Sequence, residues 1–259
     1  MNILDKIVDY KRAEVLRSKQ VSPLSSLSSS PLYRRRGNKI LLSSEGSRPG
    51  IIAEFKRRSP SRGAINMEAD PVLVAGAYKT AGVAAMSILT DQPSFGGSLS
   101  DLRSVRESHP DLVLLRKDFV IDPYQLHEAS AQGADMILLI AAILEAREIA
   151  DLALEASSLG LDVLFEVHDV NELGKHHPAI QYVGVNNRDL KTFRVDTVRS
   201  FELIREMPAG VVQVSESGLS SPAEIRKLSE AGFRLFLMGE SFMKEKDPGA
   251  ACSQLIKKL

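Results

Sequence analysis

The stretch Ile51 to Gly63, IIAEFKRRSPSRG, sets Glu54 and Lys56 two residues apart at the end of an apolar run. In an extended strand side chains alternate, so Ile52, Glu54 and Lys56 share one face while Ala53 and Phe55 share the other. Charges on a buried face are costly unless they are paired or put to use. The run then opens into Ser59-Pro60-Ser61-Arg62-Gly63, a turn-rich loop with hydroxyls and a cation. A surface ion pair beside an ordinary loop is the plain alternative to an active-site mouth. Recurrence argues against it. LVLLRKDF brings Lys117 onto the face of Val113 and Leu115, and DVLFEVHD brings Glu166 onto the face of Leu164. YVGVNNRDL brings Asn186 onto the face of Gly184, and VVQVSESG brings Glu216 onto the face of Val212 and Val214. Ammonium groups beside carboxylates are suited to general acid and base chemistry. In such a mixed site neighbouring charges set each pKa.

A second chemistry is written in the loops. Ser217-Gly218 follows one strand pattern and Gly239-Glu240-Ser241 follows the next. Glycine lets backbone N–H groups approach an anion, and a following helix N-terminus adds favourable partial charge. Together they read as a phosphate cradle, although each alone is also an ordinary turn. Glu240 is expected to donate through its backbone, with its side chain turned away.

These residues need elements to hold them. Strand patterns fall at 51–55, 84–89, 112–116, 136–140, 162–165, 182–185, 211–214 and 235–238. Helix patterns lie between them at 71–81, 100–108, 124–132, 144–159, 170–175, 197–206 and 222–231, with 245–258 closing the chain. Such alternation implies parallel strands with helical crossovers, and eight units suit an α/β fold of the closed (β/α)8 TIM barrel type. A barrel presents its chemistry at the C-terminal ends of its strands, where all five polar positions fall. A doubly wound open sheet is the alternative, but no G-x-G-x-x-G or Walker lysine loop follows a strand. Gly82, Gly133, Gly160 and Gly232 read as helix C-caps, and Asp70-Pro71 and Ser221-Pro222 as helix starts. Residues 1–49 read as an N-terminal extension, a helix over 3–16 followed by a breaker-rich linker, packing on a catalytic domain over 50–259.

Composition narrows the function class. Basic and acidic residues balance at 33 each, and there is no Trp, which argues against nucleic acid or a membrane surface as the main partner. One cysteine, Cys252, excludes an intrachain disulfide and fits a reducing cytoplasmic setting; it reads as a packed residue. His176 and His177 are adjacent and cannot share a face, and no metal-ligand spacing is present.

IIAEFKRRSPSRG, LLRKDFVIDPYQ, LFEVHD, VGVNNRDL, VSESGL and LMGESFM, in this order, resemble the motif set of the indole-3-glycerol phosphate synthase family, as does the starting helix ILDKIVDYKRAEV. Residues 21–49 depart from the usual pattern. The resemblance implies a carbon–carbon lyase of tryptophan biosynthesis. It would convert 1-(2-carboxyphenylamino)-1-deoxyribulose 5-phosphate into indole-3-glycerol phosphate, carbon dioxide and water, with no cofactor. It implies Lys117 as general acid, Glu166 as base, and Lys56 as an anion contact or a second acid; the sequence does not divide the work between the lysines. Glu54 and Glu216 would orient the lysines and substrate, and Asn186 would supply a neutral hydrogen bond. Ser217, Gly218, Gly239 and the Glu240 backbone would hold phosphate, with Ser59 and Arg188 near the mouth. Phe119, Pro60 and Leu190 would wall the aryl ring, with plain packing an equal alternative. The expected partner is the small phosphorylated substrate, bound by a monomer that associates at most weakly with other tryptophan-pathway enzymes. A Schiff-base lyase through Lys117, a phosphoribosylanthranilate isomerase and a non-catalytic phosphate binder are the competing readings.

Overall fold

A computed structural model of the chain describes residues 3–42, 48–189 and 194–259. Among these described residues ten strands form: β1 (Gly50–Phe55), β2 (Arg58–Ser59), β3 (Gly63–Ala64), β4 (Ala85–Leu89), β5 (Leu114–Lys117), β6 (Met136–Ile140), β7 (Asp162–Val167), β8 (Tyr182–Asn186), β9 (Val212–Glu216) and β10 (Leu235–Met238). β2 and β3 pair as a small antiparallel hairpin in the loop after β1. The other eight are parallel and close into a barrel in the order β1-β10-β9-β8-β7-β6-β5-β4. This is the expected TIM barrel.

Side-chain alternation produces two cores. Ile52, Leu115, Leu138, Leu164, Val214 and Leu237 pack inside the barrel. Their out-of-phase neighbours, including Ala53, Phe55, Ile137, Phe165 and Phe236, pack outward against the helices. Truncating a fully buried phenylalanine such as Phe165 costs about 3–5 kcal/mol in a core of this kind.

The helices are α1 (Ile3–Val21), α2 (Leu24–Ser28), α3 (Pro71–Ala81), α4 (Gln92–Phe95), α5 (Leu99–Ser108), α6 (Tyr124–Ala131), α7 (Ala146–Ser158), α8 (Val170–Leu173), α9 (Val198–Leu203), α10 (Pro222–Glu230), α11 (Glu240–Met243) and α12 (Pro248–Ile256). α3 begins as its sequence dictates: the Asp70 carboxylate accepts from the N–H groups of Val72 and Leu73, Pro71 opens the first turn, and Gly82 ends the helix at φ 86°. Ser221 caps α10 in the same way. Three departures from expectation lie toward the ends of the chain. α1 runs on to Val21, because the polar residues after Leu16 continue the helix without a breaker. The region read as a breaker-rich linker contains α2, whose Leu27 is buried. The closing helix, expected over 245–258, starts at Pro248 after the Asp247 cap, and a separate short helix, α11, precedes it. No described helix is long and apolar enough to cross a membrane. Cys252 is buried in α12, packed as expected.

α1 lies across one end of the barrel. Leu4 and Ile7 join the interior cluster that contains Phe119. Lys11 is completely buried, with Nζ 2.9 Å from Asp118, 3.0 Å from Asp91 and 2.9 Å from Glu14. Tyr10 donates to the Asp91 carboxylate at 2.9 Å. Tyr124 donates to the carbonyls of Ser18 and Ser22, fixing the far end of the helix.

Candidate active site

Each strand of the barrel delivers one inward residue to the C-terminal rim, and the polar ones meet there. Glu54 ends the inward row of β1 and Lys117 that of β5. The Lys117 ammonium sits 2.9 Å from Glu216 Oε2 and 3.5 Å from Glu54 Oε2. Glu54 Oε1 in turn accepts from Lys56. Lys56, Glu54, Lys117 and Glu216 thus form a chain of alternating charge, drawn from β1, β5 and β9. Glu166, 3 % exposed at the end of β7, adds a third negative charge that acts on Lys117.

Burial and pairing compete at each group. Burial alone would raise the Glu54 carboxyl, but Lys56 and Lys117 outweigh it and hold it at about 2. Burial would lower the Lys117 ammonium, but Glu216, Glu54 and Glu166 hold it well above the usual lysine value. Glu216 is different. Burial pushes it up, Lys117 pulls it down, and the nearby Glu166 and Glu54 push it up again, so its carboxyl ends well above the ordinary range. Lys117 is therefore held as a charged acid between its two carboxylate partners.

A cavity of about 490 Å³ opens over this chain. Glu54, Lys56, Lys117, Glu166 and Asn186 line its polar floor. Glu216 lies beneath the lining, fully buried, and reaches the cavity only through Lys117. Asn186 accepts from the Arg188 N–H at 3.0 Å, which ties the loop after β8 to the rim. Ser217, Gly218, Gly239 and Glu240 line one side together, so the two glycine loops do converge. Ser217 and Gly218 both take left-handed backbone, at φ 65° and 75°. Gly239 stands at the N-terminal end of α11. The Glu240 carboxylate is met by Arg62 at 2.9 Å and by Arg188 at 3.4 Å, which answers its negative charge beside the candidate anion cradle.

The cavity also has apolar lining. Phe119 and Pro60 belong to it, with Ser59 beside them. Leu190 lies outside the described residues. Reading the sequence missed several wall residues. Phe95 packs beside Phe119 with ring centroids 6.2 Å apart, and Leu138 and Ile140 rise from β6. Ile3, Leu4 and Ile7 of α1 close the mouth. Their helical spacing was visible, but periodicity names a buried face without naming what covers it. Lys11 left no signal, because a lysine inside an amphipathic helix reads as solvated.

A polar floor, apolar lining and a candidate anion cradle in one cavity suit an elongated ligand with an apolar part and an anionic end. Comparisons with known proteins agree. The family model for indole-3-glycerol phosphate synthase matches residues 4–255. A curated indole-3-glycerol phosphate synthase of Bacteroides thetaiotaomicron is 45 % identical over 260 residues, covering 100 % of this chain and 99 % of its own. The protein of that name from Salinibacter ruber is 42 % identical, covering 98 % of this chain and 95 % of its own. The crystal structure of KGPDC from Streptococcus mutans shares the fold, with a TM-score of 0.60 at 12 % identity over 82 % of this chain and 97 % of that one.

Proposed function

The chain belongs to the indole-3-glycerol phosphate synthase family, and from that premise we propose how its residues divide the work. The reaction is the ring closure, decarboxylation and dehydration of 1-(2-carboxyphenylamino)-1-deoxyribulose 5-phosphate to indole-3-glycerol phosphate in tryptophan biosynthesis.

Ring closure joins the aryl carbon bearing the carboxylate to the ketone carbon. The arylamine nitrogen supplies the electron pair, and the ketone oxygen becomes an alkoxide unless it is protonated. Lys117 is the general acid that protonates it. An alkoxide is a stronger base than an amine, so the transfer runs downhill as the carbon–carbon bond forms even though flanking carboxylates strengthen the ammonium. Loss of carbon dioxide returns its bonding pair to the ring and quenches the iminium. The same nitrogen then expels the hydroxyl as Lys56 protonates it, and Glu166 removes the proton from the carbon next to nitrogen to complete the indole. Glu54 and Glu216 hold the two ammonium groups in place, and Glu54 offsets positive charge on nitrogen. Ser217, Gly218, Gly239 and the Glu240 backbone hold the phosphate, with Arg188 assisting. Phe119 and Pro60 hold the aryl ring, and Ser59 positions the sugar end.

The observation that carries this reading is the Lys117 ammonium between Glu216 and Glu54 on the cavity floor. It also disfavours a Schiff-base role, which needs a neutral amine. Supplying the carboxyphenylamino substrate and following indole fluorescence with carbon dioxide release tests the function. Binding without either signal would reduce the protein to a phosphate-ligand binder.

Gly218→Val tests the phosphate cradle. A side chain at Gly218 would meet Val195, and its left-handed backbone disfavours a branched residue. The expected result is a KM raised about tenfold, with a smaller change in kcat, from the loss of one charge-assisted contact of about 1.5 kcal/mol. An unchanged KM would remove the loop from the phosphate site.

A further inference from the structure

Glu216 is held to Lys117 through one oxygen only. Oε2 accepts from the ammonium, while Oε1 is buried with no hydrogen-bond partner among the described residues. A carboxylate with one bonded oxygen can swing about that bond unless shape stops it. The shape comes from the neighbouring strand. β8 and β9 pair Asn186 with Glu216 and Gly184 with Val214. Gly184 thus occupies the inward position one step below Asn186, beside the descending Glu216 side chain. A methyl group built on Gly184 would overlap Glu216 Oε1 and lie 3.2 Å from its Cδ and 3.1 Å from Leu164 Cδ1. Gly184 is mid-strand and is not among the positive-φ residues, so no turn demands glycine here. Glycine inside a strand weakens it and marks a close approach.

We propose that Gly184 is a positioning residue for the ring closure: the space left by its missing side chain is the slot that holds the Glu216 carboxylate against Lys117. The site repeats the device on its other side. A methyl group on Gly239 would lie 2.5 Å from Glu54 Oε1 and 2.7 Å from Glu54 Cβ. Both carboxylates that flank Lys117 therefore rest over a glycine of the adjacent strand, β8 beneath Glu216 and the end of β10 beneath Glu54. At Gly239 the collision includes Cβ, so a substitution there disturbs β1 itself. At Gly184 the closest atom is the end of a flexible side chain. The barrel can accept Gly184→Ala by a small shift of Leu164 and a rotation of Glu216 away from Lys117. The inference rests on Lys117 as the general acid.

A double-mutant cycle of Gly184→Ala with Glu216→Asp tests it, using the intact protein and the indole-forming assay. G184A is expected to lower kcat about tenfold or more, as misplacement of a supporting group by about 1 Å does, with KM nearly constant because Glu216 does not line the cavity. E216D shortens the side chain by one methylene and vacates the slot. In that background G184A is expected to cost less than about threefold, a non-multiplicative result that general loosening of the barrel would not produce. The same factor in both backgrounds overturns the proposal, as does a folded G184A protein within about twofold of wild-type kcat. If G184A fails to fold, G184A/E216D is expected to fold, since the collision is with the carboxylate; an unfolded double variant also overturns the proposal. The general-acid reading is tested separately: near-normal turnover of Lys117→Ala would sink it and leave the cycle to decide the slot.

Discussion

Lys117→Ala is expected to lower kcat about 100-fold or more, the lower bound for removing a positioned general acid. The structure explains why the loss exceeds that of one contact. Lys117 joins Glu216 of β9 to Glu54 of β1, and both carboxylates are almost fully buried. Without the ammonium, the main influence that pulls the Glu216 carboxyl down disappears, while burial, Glu166 and Glu54 still push it up. Glu216 then takes a proton, which removes the cost of an unpaired buried charge and lets the barrel fold. The variant is therefore expected to melt cooperatively and to bind product, with the defect confined to chemistry. Single-turnover mixing that follows indole fluorescence reads the chemical step directly. Lys117→Arg keeps the charge but moves the donors, and is expected to recover only a small part of the rate. Turnover close to wild type in the alanine variant would transfer the acid role to Lys56, the other lysine bonded to Glu54.

The barrel rim was legible because five of the eight barrel strands repeat one rule: apolar inward positions below and one polar inward residue on top. That parity placed Glu54, Lys117, Glu166, Asn186 and Glu216 on a common rim, and the structure brings them to a single site. The same rule blurred the strand ends. β7 extends to Val167 and β9 to Glu216, beyond the apolar runs, because the carboxylates that interrupt hydrophobicity are still paired in the sheet. Asn186 extends β8 for the same reason. Other features depend on contacts between distant segments. Glu240 meets Arg62 and Arg188 from two other loops. Gly184 reads locally as a weak strand residue, and only the register with β9 reveals the carboxylate beside it. The α1 stripe read correctly as amphipathic, yet its target, the cavity mouth, follows from tertiary packing alone.

Lys11→Met is expected to loosen α1 from the barrel, and the size of the effect follows from what Lys11 leaves behind. Its ammonium is completely buried between Asp118 and Asp91, and Asp118 directly follows Lys117 in the chain. Methionine fills similar space but supplies no charge. Removing one partner of a buried pair costs about 3 kcal/mol or more, although Asp118 keeps Arg116 and Thr90, and Asp91 keeps Tyr10. Water can relieve that cost only if α1 lifts away, so the penalty falls on the docking of this helix. Ile3, Leu4 and Ile7 would leave the cavity mouth with it. The expected outcome is a Tm lowered by about 6–12 °C, faster proteolysis within residues 3–21, and a raised KM. The pH dependence carries the sign of the cause. Burial alone would raise the Asp118 carboxyl, but Arg116, Lys11 and the Thr90 hydrogen bond hold it at about 2, below its ordinary 3.8. Asp118 therefore contributes stability that is present above pH 3.8 and lost as pH falls through 2. Lys11→Met gives up part of that contribution, so the Tm gap between wild type and variant should be widest near neutrality and close toward pH 2. Equal melting temperatures at neutral pH, with equal protease resistance in α1, would show that the buried lysine does not anchor the helix over the site.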